Sequence, residues 1–306
     1  MAFDLVKAVR AAPAGATLQV PAGTYAVNLE VSKSLTLIAA GAVIINGQKK
    51  DSCLRIVGNT TDAKVVGFTF LEGAAECGGG VFQPEGKLML QGCRFERNAA
   101  PMYGGGGLYT TGQQCVLVAC RFLGNTGRQG GAVLVDDLAA FSMRDCVIVQ
   151  NVATEGGALR VREGAKVDLL GCTLADNKVV GDKAQGAAVY AGGTMTRRPE
   201  VSLVNCIITE RVKGPALIHN QGPHLAVITV RRCLLSESAR GLPGENAFAA
   251  DVRFSGNERE PYALHFKSPA VGAADAKAYG DGAKDILGWD RVHDGKAEAG
   301  AFAVNV

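Results

Sequence analysis

Cys120-Arg121-Phe122-Leu123-Gly124-Asn125, followed by Gly130-Gly131-Ala132-Val133, returns one period later as Cys146-Val147-Ile148-Val149-Gln150-Asn151 with Gly156-Gly157-Ala158-Leu159. The same unit lies upstream at Cys93-Arg94-Phe95-Glu96-Arg97-Asn98 with Gly106-Gly107-Leu108. It lies downstream at Cys172-Thr173-Leu174-Ala175-Asp176-Asn177 with a weakened Gly186-Ala187-Ala188-Val189. Cys206 and Cys233 extend the series, so the six cysteines are separated by 27, 26, 26, 34 and 27 residues. The pattern reads C-x-[apolar]-x-x-N, then a glycine-rich lead-in to a second apolar run. Self-similarity at so constant a period is the signature of a solenoid.

The local period decides which solenoid. Val116-Leu117-Val118-Ala119-Cys120-Arg121-Phe122 and Val201-Ser202-Leu203-Val204-Asn205-Cys206-Ile207-Ile208 alternate with period two and are bounded by Gly, Asn and Asp, which reads as strand. Two helices per repeat do not fit between successive glycines. One repeat therefore makes one turn of a single-stranded right-handed parallel β-helix, an all-β solenoid with turns about 4.8 Å apart. Equivalent residues then superpose. The cysteines become an interior stack of small buried hydrophobes, and Asn98, Asn125, Asn151 and Asn177 become an amide ladder at a bend, where Asn tolerates left-handed backbone.

With 306 residues and 47% apolar content the chain forms a large core, and the uninterrupted repeat makes residues 1–306 one domain. Within it, 1–16 hold an N-terminal cap helix, 17–235 the regular coils and 236–306 the C-terminal coils and an irregular cap. The cap helix is read from apolar residues at 5, 6, 8, 9 and 12 before Pro13-Ala14-Gly15. A net charge of +3 without a Lys/Arg run excludes a nucleic-acid arm, and no stretch reaches the length of a membrane span. Nine cysteines, six of them assigned to the interior, do not suggest a disulfide framework. With ligands at short spacing missing, no metal site and no cofactor is expected. The compartment is cytoplasmic if Met1 is the native start, and secreted or cell-surface if a leader was removed.

Ala11-Ala12-Pro13-Ala14-Gly15 through Gly23-Thr24-Tyr25 resembles the opening segment of the pectate-lyase-like superfamily, where a cap helix leads into the first coil. Ser268-Pro269-Ala270-Val271-Gly272, Asp285-Ile286-Leu287-Gly288-Trp289 and Ala299-Gly300-Ala301-Phe302 are similar to the closing segment of bacterial β-helix proteins. The Phe-x-x-Asn and glycine-pair repeats resemble those of polymorphic outer-membrane proteins, without their translocating barrel. The resemblance implies the fold across nearly the whole chain, and carbohydrate as the usual ligand. It does not supply an activity: of the four polygalacturonase motifs only Asp136-Asp137 and Arg211-Val212-Lys213 occur.

Function then falls to outward positions. Four and two residues before each cysteine these include Ser142, Arg144 and Asp168, and directly after it Arg94 and Arg121. Stacked arginines suit the carboxylates of an acidic polysaccharide, while the plain reading is a solvated face with Arg144 paired to Asp168. After the glycines the outward series reads Tyr109, Leu134, Arg160, Tyr190 and Ile218, in which Tyr beside Arg suits a sugar ring stacked on an aromatic face. Substrate-binding candidates are thus Arg94, Arg121, Tyr109, Arg160 and Tyr190. The sequence points to a monomeric scaffold presenting an extended surface to a polysaccharide or a protein, without a complete catalytic set. The alternative is a polysaccharide lyase or glycoside hydrolase, with Arg144 neutralising a substrate carboxylate and Asp145 or Asp168 holding Ca²⁺ or working as acid/base. A phage-type spike is a third reading.

Overall fold

The computed structural model describes residues 3–182, 184–193, 197–209, 218–220, 223–236, 247–248 and 251–304. It is a parallel β-solenoid of about seven turns with one short helix near its start. That helix, α1 (Leu5–Ala11), begins where the Asp4 carboxylate accepts from the Lys7 amide at 2.9 Å, and it buries Leu5 and Val9 against the first coil. It closes the apolar interior at that end, as the apolar spacing predicts.

Three faces run the length of the coil. The first consists of the strands before each cysteine, from Lys87–Gln91 through Gln114–Val118, Ala140–Arg144, Lys166–Leu170 and Glu200–Val204 to Val227–Arg231. The second consists of the three-residue strands after each cysteine, among them Arg94–Glu96, Arg121–Leu123, Val147–Val149, Thr173–Ala175 and Ile207–Thr209. Asp62–Leu71 spans both, pairing by its first half with Lys87–Gln91 and by its second with Arg94–Glu96. The third follows the glycines: Leu29–Val31, Leu54–Ile56, Val81–Gln83, Leu108–Thr110, Val133–Val135, Leu159–Val161, Val189–Ala191 and Ile218–Asn220.

The corners show why the repeat has its composition. One left-handed residue precedes each of the six cysteines of the repeat (Gly92, Ala119, Asp145, Gly171, Asn205, Arg232), and another precedes every ladder asparagine (Arg97, Gly124, Gln150, Asp176). A third, glycine, opens the third face. At Gly156, with φ +68°, an added Cβ would lie 2.3 Å from the Leu159 carbonyl oxygen, so only glycine fits. Behind these corners the interior is apolar. Cys93, Cys120, Cys146, Cys172, Cys206 and Cys233 are all buried free thiols, and Phe95 stacks on Phe122 with centroids 4.1 Å apart. In the amide ladder the Asn125 side chain donates to Asn151 Oδ1 at 2.9 Å and Asn151 donates to Asn177 Oδ1 at 2.9 Å. Each second hydrogen goes to a carbonyl of the preceding coil, such as Phe95 O for Asn125 and Phe122 O for Asn151. Every donor is satisfied, which a buried amide requires.

Residues 252–304 lie along the outside of the second face as a strap. Val147, Val149 and Ala175 meet Tyr262, Ile286 and Phe302, and Ile207 and Leu234 meet Leu264, Ala270 and Ala299. Polar pegs fix it: Tyr262 donates to Asp176 at 2.8 Å, Asn205 donates to the Asp275 carbonyl at 2.9 Å, and Arg291 reaches Asp145. The strap explains a change along the repeat. Where the second face is open the triplets alternate, Arg94-Phe95-Glu96. Where it is covered they are apolar or small throughout, Val147-Ile148-Val149, the pattern of a strand buried on both sides.

Candidate functional site: the outer row of the third face

Register alone aligns Arg55, Phe82, Tyr109, Leu134, Arg160, Tyr190 and His219 into one outward row, one residue per coil. The sequence reading placed Ile218 in this row. Pairing of Tyr190 with His219 corrects it, and Ile218 points into the core. The rings of the row pack along the solenoid axis. Arg55 lies 4.8 Å over Phe82, Phe82 stacks on Tyr109 with centroids 5.7 Å apart, Arg160 lies 4.1 Å over Tyr190, and Tyr190 meets His219 edge-on at 5.0 Å. One face of Tyr109 is covered by Phe82 and one face of Tyr190 by Arg160, which leaves each ring its other face, its edge and its hydroxyl.

Arg160 is the centre of the row. Its side chain is 2% exposed, its Nη1 donates to the carbonyls of Val161 at 2.6 Å and Gly192 at 3.3 Å, and its Nε lies 3.4 Å from the Glu155 carboxylate. Burial lowers the pKa of its guanidinium and Glu155 opposes that shift. Glu155 accepts from Gln129 Nε2 at 3.0 Å, Gln129 Oε1 accepts from Arg162 at 3.3 Å, and Arg162 lies 3.4 Å from Asp136. A continuous polar chain thus borders the ring row, with Glu155, Arg162 and Asp136 all partly open to solvent. Burial pushes the Asp136 carboxyl up, against the pull of Arg162, and burial raises the Tyr109 hydroxyl with Asp136 adding to it. Converging groups with shifted pKa values mark this face as the candidate site.

Three of its members, Tyr109, Arg160 and Tyr190, were candidates from sequence. Gln129, Glu155 and Arg162 were not, although a signal exists: Gln129, Glu155 and Gln185 each stand directly before the glycine of the third face and bridge from coil to coil.

The other candidates lie elsewhere. Arg94 and Arg121 are neighbours on the second face, but the next member of their row is Val147. Arg121 is bound to Glu260 of the strap at 2.6 Å, and Arg94 is exposed, 4.0 Å from Glu96. Arg144 is exposed on the first face, between Val118 and Leu170, and Asp168 is exposed opposite Ser142 and Ser202. Arg144 and Asp168 form no ion pair among the described residues. Asp168 borders a depression of about 160 Å³ shared with Lys166, Glu200 and Thr229. Asp145 is 1% exposed and accepts from Arg291 Nε at 2.8 Å beneath the strap. Burial pushes its pKa up to about 6 against the attraction of Arg291. Among the described residues no three His, Cys, Asp or Glu side chains converge to hold a metal ion, and no helix is long and apolar enough to cross a membrane. Arg211-Val212-Lys213 lies outside the described residues.

No family model and no curated protein matches the chain. Its kinship with pectate-lyase-like proteins or with polymorphic outer-membrane repeats therefore stays a resemblance, and its parallel coil is what the structure establishes.

Proposed function

We propose that the protein is a β-helical binding module whose third face takes a carbohydrate chain along the cluster of Tyr109, Gln129, Glu155, Arg160 and Arg162. One observation carries the reading: planar amide, carboxylate and guanidinium groups from successive coils are joined by hydrogen bonds and ion pairs into a single chain beside a row of aromatic rings. Such groups match vicinal hydroxyls, which donate and accept at once. A chain lying along the axis meets a new set about every 4.8 Å. Binding on a glycan array by the parent, lost in Tyr109→Ala and in Gln129→Ala, is the expected result. Equal binding by both variants and the parent would reject the cluster.

A glycan-cleaving enzyme is the second reading, favoured by the unlike surroundings of the two carboxylates. Asp136 is held toward its neutral form by burial, while Glu155 lies against the buried Arg160. Reducing-end release or an unsaturated-product absorbance from the parent, abolished by Asp136→Asn, would establish it over simple binding.

A further inference from the structure

The sequence suggests arginines gripping an acidic polymer. The polar cluster of the third face is built for a different charge. Both of its arginines are already answered by carboxylates: Arg160 by Glu155 at 3.4 Å and Arg162 by Asp136 at 3.4 Å. Arg160 cannot offer a two-pronged contact to an incoming carboxylate, since its side chain is 2% exposed and its Nη1 donates to backbone carbonyls of its own coil and the next. The two carboxylates keep part of their surface in solvent, Glu155 27% and Asp136 13%. Asp137 is open on the turn beside Asp136, 4.0 Å from Arg197. The Cys77 thiol is pushed up by burial and then by the charges of Glu76 and Asp136. A uronate entering here would place its charge against Glu155 and Asp136 while finding no free cation in the chain that joins them, and such like-charge contacts are strongly unfavourable. Hydroxyl groups meet no such penalty. They can donate to Glu155, Asp136 and Gln129 Oε1 and accept from Gln129 Nε2 and the Tyr109 hydroxyl.

We propose that the cluster selects an uncharged, hydroxyl-rich glycan and turns away uronic-acid polymers. The inference rests on the reading of this cluster as a carbohydrate site, and it fixes the ligand class of that site. Because the ligand itself would carry no charge, affinity should be almost insensitive to salt, unlike that of a charge-driven complex.

The test titrates the full chain with neutral hexasaccharides of glucose, mannose and xylose and with an oligogalacturonate of equal length, at low and at high NaCl. Expected is binding of at least one neutral oligomer at both salt concentrations, with no detectable oligogalacturonate binding. Glu155→Gln should move the ratio of uronate to neutral affinity by about tenfold toward uronate. Asp136→Asn, at a carboxylate whose partner Arg162 is itself partly open to solvent, should move it in the same direction and serves where Glu155→Gln, by leaving Arg160 unanswered, does not fold. Salt-sensitive uronate binding by the parent, lost in Tyr109→Ala, would overturn the inference and leave the carbohydrate reading standing. Binding of no oligomer, or neutral binding unmoved by all three substitutions, would overturn both.

Discussion

Two fully buried arginines organise two regions of this molecule in nearly the same way. Arg160, on the third face, pairs with Glu155 and lies 4.1 Å over the ring of Tyr190. Arg291, in the strap, pairs with Asp145 and lies 5.0 Å over the ring of Tyr279. The difference is in the partner carboxylates. Asp145 is 1% exposed, whereas the Glu155 side chain keeps 27% of its surface and hands its hydrogen bonding on to Gln129. One arrangement is sealed between two layers of the chain and fastens them. The other has a wet side, which is what a binding site needs. Gly171 marks the sealed version: with φ +60°, it lets the Tyr279 hydroxyl and Asp145 Oδ1 approach to within 2.6 and 2.8 Å of where a Cβ would be.

The largest expected effect tests the sealed side. Asp145→Ala leaves the Arg291 guanidinium buried without its counter-charge and should cost about 3 to 5 kcal/mol in urea unfolding. It should also expose the strap to limited proteolysis before the coil unfolds. Glu155→Ala should cost less, because Arg160 retains its backbone carbonyl acceptors. Equal losses for the two would erase the distinction between a fastening pair and a site pair.

A pH series sharpens the same contrast. Asp145 titrates at about 6 in the folded chain against an ordinary 3.8, chiefly through burial. The folded state therefore holds this proton more tightly than the unfolded state. Its contribution is fully present below pH 3.8 and is lost as pH rises through about 6. The stability difference between the parent and Asp145→Asn should fall by roughly 3 kcal/mol over that window and be flat above it. A difference that instead rose with pH would mean that attraction to Arg291 outweighs burial. The neutral carboxyl still accepts from Arg291 through its carbonyl oxygen, so the low-pH state keeps a contact that alanine removes.

Both regions hang on the interior ladders, which should respond alike wherever they are cut. Asn151→Ala strips the Asn125 amides of their acceptor and leaves Asn177 Oδ1 short of a donor. A cost of about 1 to 3 kcal/mol in thermal or urea unfolding is expected for these unsatisfied groups. An unchanged melting temperature would show that water replaces the amide at no cost, and that the corner is not sealed.

The interior was readable because its rule is local and repeats: one cysteine, one apolar residue and one asparagine at fixed offsets in every coil. The Cys93 to Cys233 series gave the coil, and alternation in Val201-Ser202-Leu203 gave the inward side. Which outward face is free was not stated by any single repeat. It depends on contacts between residues more than a hundred positions apart, such as Asp145 with Arg291 and Gln150 with Tyr262. The clue was comparative, the replacement of Arg94-Phe95-Glu96 by Val147-Ile148-Val149 along one row. Of the candidate site, Tyr109, Arg160 and Tyr190 were legible by offset from the glycines. Glu155 and Gln129 were not, because they lie on the corner, where period-two reasoning assigns no side.

The smallest effect concerns two adjacent arginines that sequence treats as equivalent. Arg94 and Arg121 are register partners on the second face, yet only Arg121 reaches the strap, at 2.6 Å from Glu260 with both side chains less than one fifth exposed. Arg94 makes a 4.0 Å pair with Glu96 and keeps 49% of its side-chain surface. Arg121→Ala should therefore lower stability by about 1 kcal/mol, the worth of a partly covered charge-assisted hydrogen bond. Arg94→Ala should change it by less than about 0.5 kcal/mol, as for an ordinary surface pair. High salt should narrow the gap between the two only slightly, since the Arg121 contact is shielded from solvent. Equal, near-zero changes for both in parallel urea titrations would place Glu260 free of the coil in solution and limit the strap's hold to its apolar contacts and Arg291.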